Sequence, residues 1–415
     1  MGKRAKKPYL CLENTSFDDM NKILLFLAIF IGSSLISTAQ TLDKATPSEV
    51  GLDDSKLKTA DSLILNSINI KEIPGAVLAI VRHGKMAYLK AFGNKQIYPT
   101  VELMDINTVF DMASCTKPMA TAISALILVD RGQLKLEDNV NLYVPAFLST
   151  VNPTMKGDIK IVNLLTHTSG LPSYAPEGTI KKRYGSLNPN GFMQYIDSCK
   201  RDFEPGKSME YSCLNFITLQ HIIENVSGKS LRDFAKENIY DVLGMTHTDF
   251  NPTGDLLAAC APTSKLKGNN VLKGIVHDPL AREFNCGVSG NAGLFSTASD
   301  IAILAATLQN GGNWNGKTIL SPQTVKAMRT IPDTYKTFGR ALGWDISSHY
   351  ASCKGDSLSS NAYCHTGYTG TSIVIDPDND ISIILLTNRV HPYDKGSVVK
   401  LRKMVSNAVA ASIIK

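Results

Sequence analysis

Charge is scarce in this sequence. Of its 415 residues 19 % are charged, and 43 Lys and Arg against 37 Asp and Glu leave a formal net charge of +6. So even a balance gives no nucleic-acid footprint. No period of roughly 20 to 50 residues recurs, which argues against solenoids and propellers. No C-x-x-C pair or His-rich spacing occurs, so no metal site is expected. The apolar run Ile23 to Ile36 holds fourteen residues, short of the roughly 20 that cross hydrocarbon. No Cys follows it to carry a lipid.

What is present is a core. Hydrophobic residues make up 43 %, the balance of a globular chain. Its length exceeds the roughly 250 to 300 residues at which single cores stop growing, so one large domain or two interleaved lobes are expected. Lys22, the apolar run, and then Ser37-Thr38-Ala39 follow the order of a secretory signal peptide. Residues 1–39 are read as that signal, cleaved after Ala39, with Met20 available as an alternative translation start. The expectation is export to the periplasm or beyond, with no stable membrane anchor after cleavage. Cys115, Cys199, Cys213, Cys260, Cys286, Cys353 and Cys364 then remain. Their number is odd, so at least one thiol is unpaired within the monomer.

The two ends share a pattern. Gly75 to Val81 and Met86 to Phe92 flank a turn at Arg82-His83-Gly84-Lys85, and Thr371 to Ile375 and Ile381 to Thr387 flank another. Both read as hairpins. A periodic segment, Gly396 to Ile413, reads as a closing helix. Between them, Ala120 to Val129, Phe216 to Val226, Leu231 to Val242 and Ser299 to Leu308 read as helices. The expected fold is α+β: an antiparallel sheet built from N- and C-terminal segments and flanked by helices, with a second, all-α lobe. The mature domain, 40–415, would place the α/β lobe at about 46–113 and 321–415 and the helical lobe at about 114–320. A ligand site is sought in the cleft between them.

Ser114-Cys115-Thr116-Lys117 stands at the mouth of the apolar helix. Residues three apart share a helix face, so hydroxyl and amine come within reach. The helix N-terminus favours an oxyanion. Average usage yields about two S-x-x-K matches by chance in such a chain, and the plain alternative is a capped helix with an exposed Lys. A Lys beside a buried helix is expected to be desolvated and its pKa lowered. Two more elements join it: Tyr211-Ser212-Cys213, opening a helix, and His365-Thr366-Gly367, read as opening the hairpin strand, with Gly370 following.

With these three elements the sequence resembles the serine β-lactamase and penicillin-binding-protein superfamily, particularly its class C-like esterase or acyltransferase branch. LLTHTSGLP at Leu164 to Pro172, LGMTHTDF at Leu243 to Phe250, and the stretches His277 to Ala302 and His365 to Pro377 carry the resemblance further. It implies that Ser114 is the nucleophile, Lys117 its general base and Tyr211 the proton shuttle. The backbone N–H groups of Ser114 and Tyr368 would form the oxyanion hole, and Cys213, His365, Thr366 and Gly367 would bind substrate. A Lys ammonium near the phenol is expected to bring Tyr211 closer to neutrality. No cofactor is implied. The implied partners are small ester, amide or acyl donors and acceptors.

Two departures stand out. Cys213 occupies a position where penicillin-recognising members carry Asn, and a thiol donates and accepts poorly. His365 replaces the Lys of K-T-G and is mostly neutral at pH 7. Both weaken the case for β-lactam hydrolysis. The implied activity is an exported serine hydrolase forming an acyl-enzyme from an ester or amide. The alternatives are transfer of the acyl group to a hydroxyl such as a sterol, bile acid or polyketide, and a D-Ala-D-Ala peptidase, β-lactamase or non-catalytic penicillin-binding protein. His167 is read as holding its loop by a backbone hydrogen bond. Arg389 is either a surface charge or a replacement cation for a substrate carboxylate. The loop Pro172 to Asn190 is read as shaping or covering the cleft.

Overall fold

The apolar runs near the two ends of the chain pair with each other. In this computed structural model, which describes residues 41–148 and 158–414, β1 (Gly75–Arg82), β2 (Lys85–Gln96) and β3 (Glu102–Leu103) come from the N-terminal part. The short strands β4 (Phe110–Asp111), β5 (Asp249–Phe250), β6 (Leu294–Ser296), β7 (Asn313–Trp314) and β8 (Lys317–Thr318) follow. The C-terminal part supplies β9 (Tyr363–Thr366), β10 (Ser372–Asp376) and β11 (Ile381–Thr387). A six-stranded antiparallel sheet has the order β3-β2-β1-β11-β10-β9. Ala79 pairs with Leu89 on one side and Ile384 on the other, so the fold is closed by residues about 300 apart in sequence.

Both faces of this sheet are covered, and β1 and β11 are buried along their whole length and mostly apolar. Alternate residues of β1 serve different cores. Ala76, Leu78 and Ile80 pack with helix α1 (Asp54–Asn69) through Leu57, Ala60 and Ile64. Val77, Ala79 and Val81 join the larger core with α2 (Ile123–Asp130), α3 (Cys213–Ser227) and α4 (Ala298–Gln309). Helix α5 (Val399–Ala411) lies with α1, through Leu401, Val405 and Val409. Side-chain caps start several helices: Asp53 accepts from Ser55 N–H at 2.9 Å, and Thr297 accepts from Asp300 N–H at 3.2 Å.

The architecture is α+β. Two details refine the sequence reading. The helical part also holds a small sheet, β4-β6-β5, and the β7-β8 ribbon. His365 and Thr366 end a strand of their own, β9, so the C-terminal element is a three-stranded meander instead of one hairpin. The apolar run Ile23 to Ile36 and the expected cleavage point lie outside the described residues. Among the described residues no helix is long and apolar enough to cross a membrane.

Candidate active site

The Ser114 backbone is set by the residue before it. Ala113 has φ 45°, a left-handed conformation uncommon for a side chain with Cβ. Its N–H donates to Asp111 Oδ1 at 2.8 Å, while Asp111 Oδ2 accepts from His277 N–H at 2.7 Å. Burial pushes the Asp111 carboxyl up to about 6, against those two hydrogen bonds. Thr369 and Thr371 hydroxyls donate to the carbonyls of Asp111 and Met112, at 2.7 and 3.1 Å, and so tie the β9–β10 turn to Ser114. A Cβ at Gly367 would fall 2.2 Å from Thr371 Oγ1 and 2.5 Å from Met112 O, so only glycine fits that close approach.

Lys117 opens a π-helical turn, Lys117–Ala122, that leads into α2, a distortion frequent at functional sites. Its side chain is fully buried. The ammonium donates to Ser114 Oγ at 3.1 Å, to the Asn291 carbonyl at 2.9 Å and toward Cys213 Sγ at 3.7 Å. It also lies 4.9 Å from the centroid of the Tyr211 ring. The three catalytic candidates and Cys213 are therefore gathered around one nitrogen. Tyr211 is stacked on His167 at 4.4 Å. The His167 ring accepts from Ser212 N–H at 2.9 Å, so it holds the chain next to the phenol through a backbone hydrogen bond.

The charge states differ from the sequence expectation. Burial alone would lower the Lys117 pKa, but Cys213 and Tyr211 outweigh it and hold the ammonium above its ordinary range. Burial raises Tyr211 despite Lys117, and raises Cys213 likewise. Neither the expected lowering of Lys117 nor the expected shift of Tyr211 toward neutrality occurs. The resting centre holds an ammonium, a phenol and a thiol. Cys115 is pushed up to about 12 by burial, which removes it as a nucleophile at neutral pH.

The β9 side supplies the opposite wall. His365 is buried, and burial, with Arg340 and Lys117 nearby, holds its pKa well below the ordinary range. Sequence reading missed Arg340, whose Nη1 pairs with Asp345 at 2.6 Å while Nη2 lies 3.2 Å from His365 Nε2. Arg340 and Asp345 face each other across a tight turn, with Ala341 N–H donating to Trp344 O at 2.9 Å, and nothing local in the sequence marks that contact. The Asn291 carbonyl was likewise missed, although its stretch was singled out.

Ser114, Tyr211, Tyr350, His365, Thr366, Gly367 and Tyr368 line one cleft of about 420 Å³, with Arg389 and Arg402 toward α5. The Ser114 and Tyr368 N–H groups donate to no acceptor among the described backbone hydrogen bonds. The Tyr368 side chain is turned outward, its hydroxyl donating to Asp394 at 2.8 Å. Arg389 lies 4.4 Å from the Tyr368 ring, pairs with Asp394 at 2.7 Å and donates to Gly396 O at 2.9 Å. It is thus neither a free surface charge nor an unencumbered cation. A second cavity of about 550 Å³, with Ile68, Ile73, Pro392 and Tyr393 in its wall, adjoins the cleft at Arg389 and Gly396. The loop from Pro172 lies against the start of α3, its Ser173 carbonyl accepting from Cys213 N–H at 2.9 Å, and it contributes nothing to the cleft lining.

This is the layout of a serine hydrolase centre, a Ser and a Lys one helical turn apart with a Tyr on the same ammonium. The β-lactamase family profile matches residues 61–403, and the chain belongs to that family of serine hydrolases. It is 33 % identical over 404 residues to a putative D-alanyl-D-alanine carboxypeptidase of Escherichia coli (strain K12), covering 90 % of this chain and 92 % of that protein. It is 34 % identical over 365 residues to an N-acetylmuramyl-L-alanine amidase of Bacillus subtilis (strain 168), covering 81 % of each. Among solved structures, EstCE1, a hydrolase with promiscuous acyltransferase activity, superposes with a TM-score of 0.70 at 23 % identity, over 86 % of this chain and 99 % of that one. Simvastatin synthase (LovD) from Aspergillus terreus does so at 0.66 and 19 %, over 86 % and 98 %. These two likenesses concern the fold.

Proposed function

We propose that the chain is an exported hydrolase that forms an acyl-enzyme on Ser114, with an ester or amide as donor. The observation that carries this is the Lys117 ammonium, 3.1 Å from Ser114 Oγ and 4.9 Å from the centroid of the Tyr211 ring. Loss of one proton from the Lys117–Tyr211 pair creates the base. Ser114 Oγ then attacks the carbonyl carbon and its proton passes to that pair. The oxyanion is met by the N–H groups of Ser114 and Tyr368. The C–O or C–N bond breaks, the leaving group takes a proton from Tyr211, and water releases the acid by the reverse transfers. Thr366 and Gly367 border the bound acyl group, whereas Cys213, expected to bind substrate, is buried against Lys117 and lies outside the cleft lining. Two relatives are named for bonds to alanine, one as a putative D-alanyl-D-alanine carboxypeptidase and one as an N-acetylmuramyl-L-alanine amidase, and this favours such amides as donors over simple esters.

A fluorophosphonate probe tests the acyl-enzyme. One adduct is expected on the wild type and none on Ser114→Ala; an equal adduct on both proteins overturns the mechanism. A panel of an activated ester, a D-alanyl-D-alanine peptide and an N-acetylmuramyl-L-alanine conjugate tests the donor. Turnover of the ester alone discards the preference for alanine amides. The second reading, acyl transfer, draws on the adjoining cavity, whose partly apolar wall suits an acceptor. It requires transfer product to grow with added alcohol, and free acid at every alcohol concentration excludes it.

A further inference from the structure

A guanidinium has only donors, so the short approach of Arg340 Nη2 fixes His365 Nε2 as an acceptor. The ring proton is then on Nδ1, which donates to Thr366 O at 3.0 Å. His365 is therefore held as one neutral tautomer. Arg340 is fully buried. Its Nη1 is committed to Asp345, whose Oδ1 also accepts from Ser348 Oγ at 2.5 Å, and its Nε has no partner. The same guanidinium lies 5.2 Å from the centroid of the Tyr211 ring. Lys117 and Cys213 approach that ring from one side, His167 is stacked on it, and Tyr350 and His365 close the rest.

We propose that Arg340 is the fixed cation of this centre, a positioning residue that locks His365 as a neutral acceptor and stabilises the phenolate form of Tyr211 during proton transfer. The proposal rests on the acyl-enzyme reading only in its second half. The cation missing from the H-T-G position is restored one layer behind it, out of a substrate's reach, and therefore acts on the proton-transfer groups instead of on a ligand. Such a charge is constant across pH because guanidinium does not deprotonate in proteins. It also opposes a second positive charge on His365, consistent with the downward direction of that group. Arg402 and Lys117 act on His365 in the same sense.

The test uses the full chain with two readouts. Side-chain nitrogen NMR should find His365 protonated at Nδ1 only, unchanged from about pH 5 to pH 8. In Arg340→Met/Asp345→Asn, which removes both charges of the buried pair together, the tautomer should become mixed. The rate of Ser114 labelling by a fluorophosphonate should rise with pH in the wild type. Its ascending limb should move to higher pH by about one unit in the double variant, a tenfold slower labelling at fixed pH. Arg340→Lys, which keeps a cation, should restore the limb. His365 protonated at Nε2 in the wild type overturns the lock. A limb that does not move in the double variant, or is not restored by Arg340→Lys, overturns the electrostatic role. Absence of any labelling in the wild type would sink the acyl-enzyme reading and the Tyr211 role, and would leave the His365 measurement standing as a test of the lock.

Discussion

Two buried cations flank one phenol, and they are built differently. Lys117 is 4.9 Å from the Tyr211 ring and donates to a hydroxyl, a thiol and a carbonyl. Arg340 is 5.2 Å from the same ring and is paired with a carboxylate. The first has neighbours that can each exchange a proton with it, save the carbonyl. The second has a neutralising partner and a group that cannot give up its proton. The difference separates chemistry from scaffolding of charge: Lys117 is placed to change its protonation, Arg340 to keep it.

The comparison breaks most sharply at Lys117. Lys117→Met should lower kcat/KM by about 10⁴-fold or more, as loss of a member of a unit does, with the melting temperature little lower or even raised. If Lys117→Met retains activity, the division of roles is wrong. Tyr211→Phe should follow, with a loss of about 10² to 10⁴-fold, the worth of a positioned acid–base group. Removing Arg340 alone should instead be read mainly in stability. It leaves Asp345 buried without its partner, at about 3–5 kcal/mol, and denaturant unfolding of Arg340→Met against Arg340→Met/Asp345→Asn measures the recovery.

The pH dependence follows from the directions of shift. Lys117 and Tyr211 both lie above their ordinary values, so the base form accumulates only as pH rises, and kcat/KM should climb through the alkaline range. A profile already flat at neutral pH contradicts the resting states assigned here. Cys213→Asn places a better donor and acceptor beside Lys117. It should raise nitrocefin turnover from a low wild-type level by about tenfold, the worth of one hydrogen bond. Efficient wild-type turnover would mean that the thiol costs little. The smallest effect concerns Asp111, pushed up to about 6 by burial. Its folded value exceeds the unfolded one, so its contribution to stability is present below the ordinary carboxylate range and is lost as pH rises to about 6. Asp111→Asn should remove that part of the pH slope in thermal unfolding.

Much of this was legible because it is local. S-x-x-K needs only a helical turn to bring Ser114 and Lys117 together, and alternation of apolar residues with turn signals marked β1, β2, β10 and β11. Arg340 was not legible, since its contact with His365 depends on a tight turn packing beside β9. The charge states failed for the same reason. Lys117 is held up by Cys213 and Tyr211, which reach it from α3 and the residues before it, about a hundred positions along the chain. A pKa depends on every neighbour, and single-sequence reasoning supplied only one of them.

The pairing of β1 with β11 carries a consequence for synthesis. Until residues 381–387 are made, β1 has an open edge of unpaired amides and carbonyls, and the turn that faces Ser114 lacks the strand on which β10 pairs. A nascent chain therefore cannot assemble a working nucleophile early, and formation of the sheet waits on a contact of very long sequence separation, which slows folding. Such a chain lacks the pairing that joins its two ends for as long as its last strand is missing.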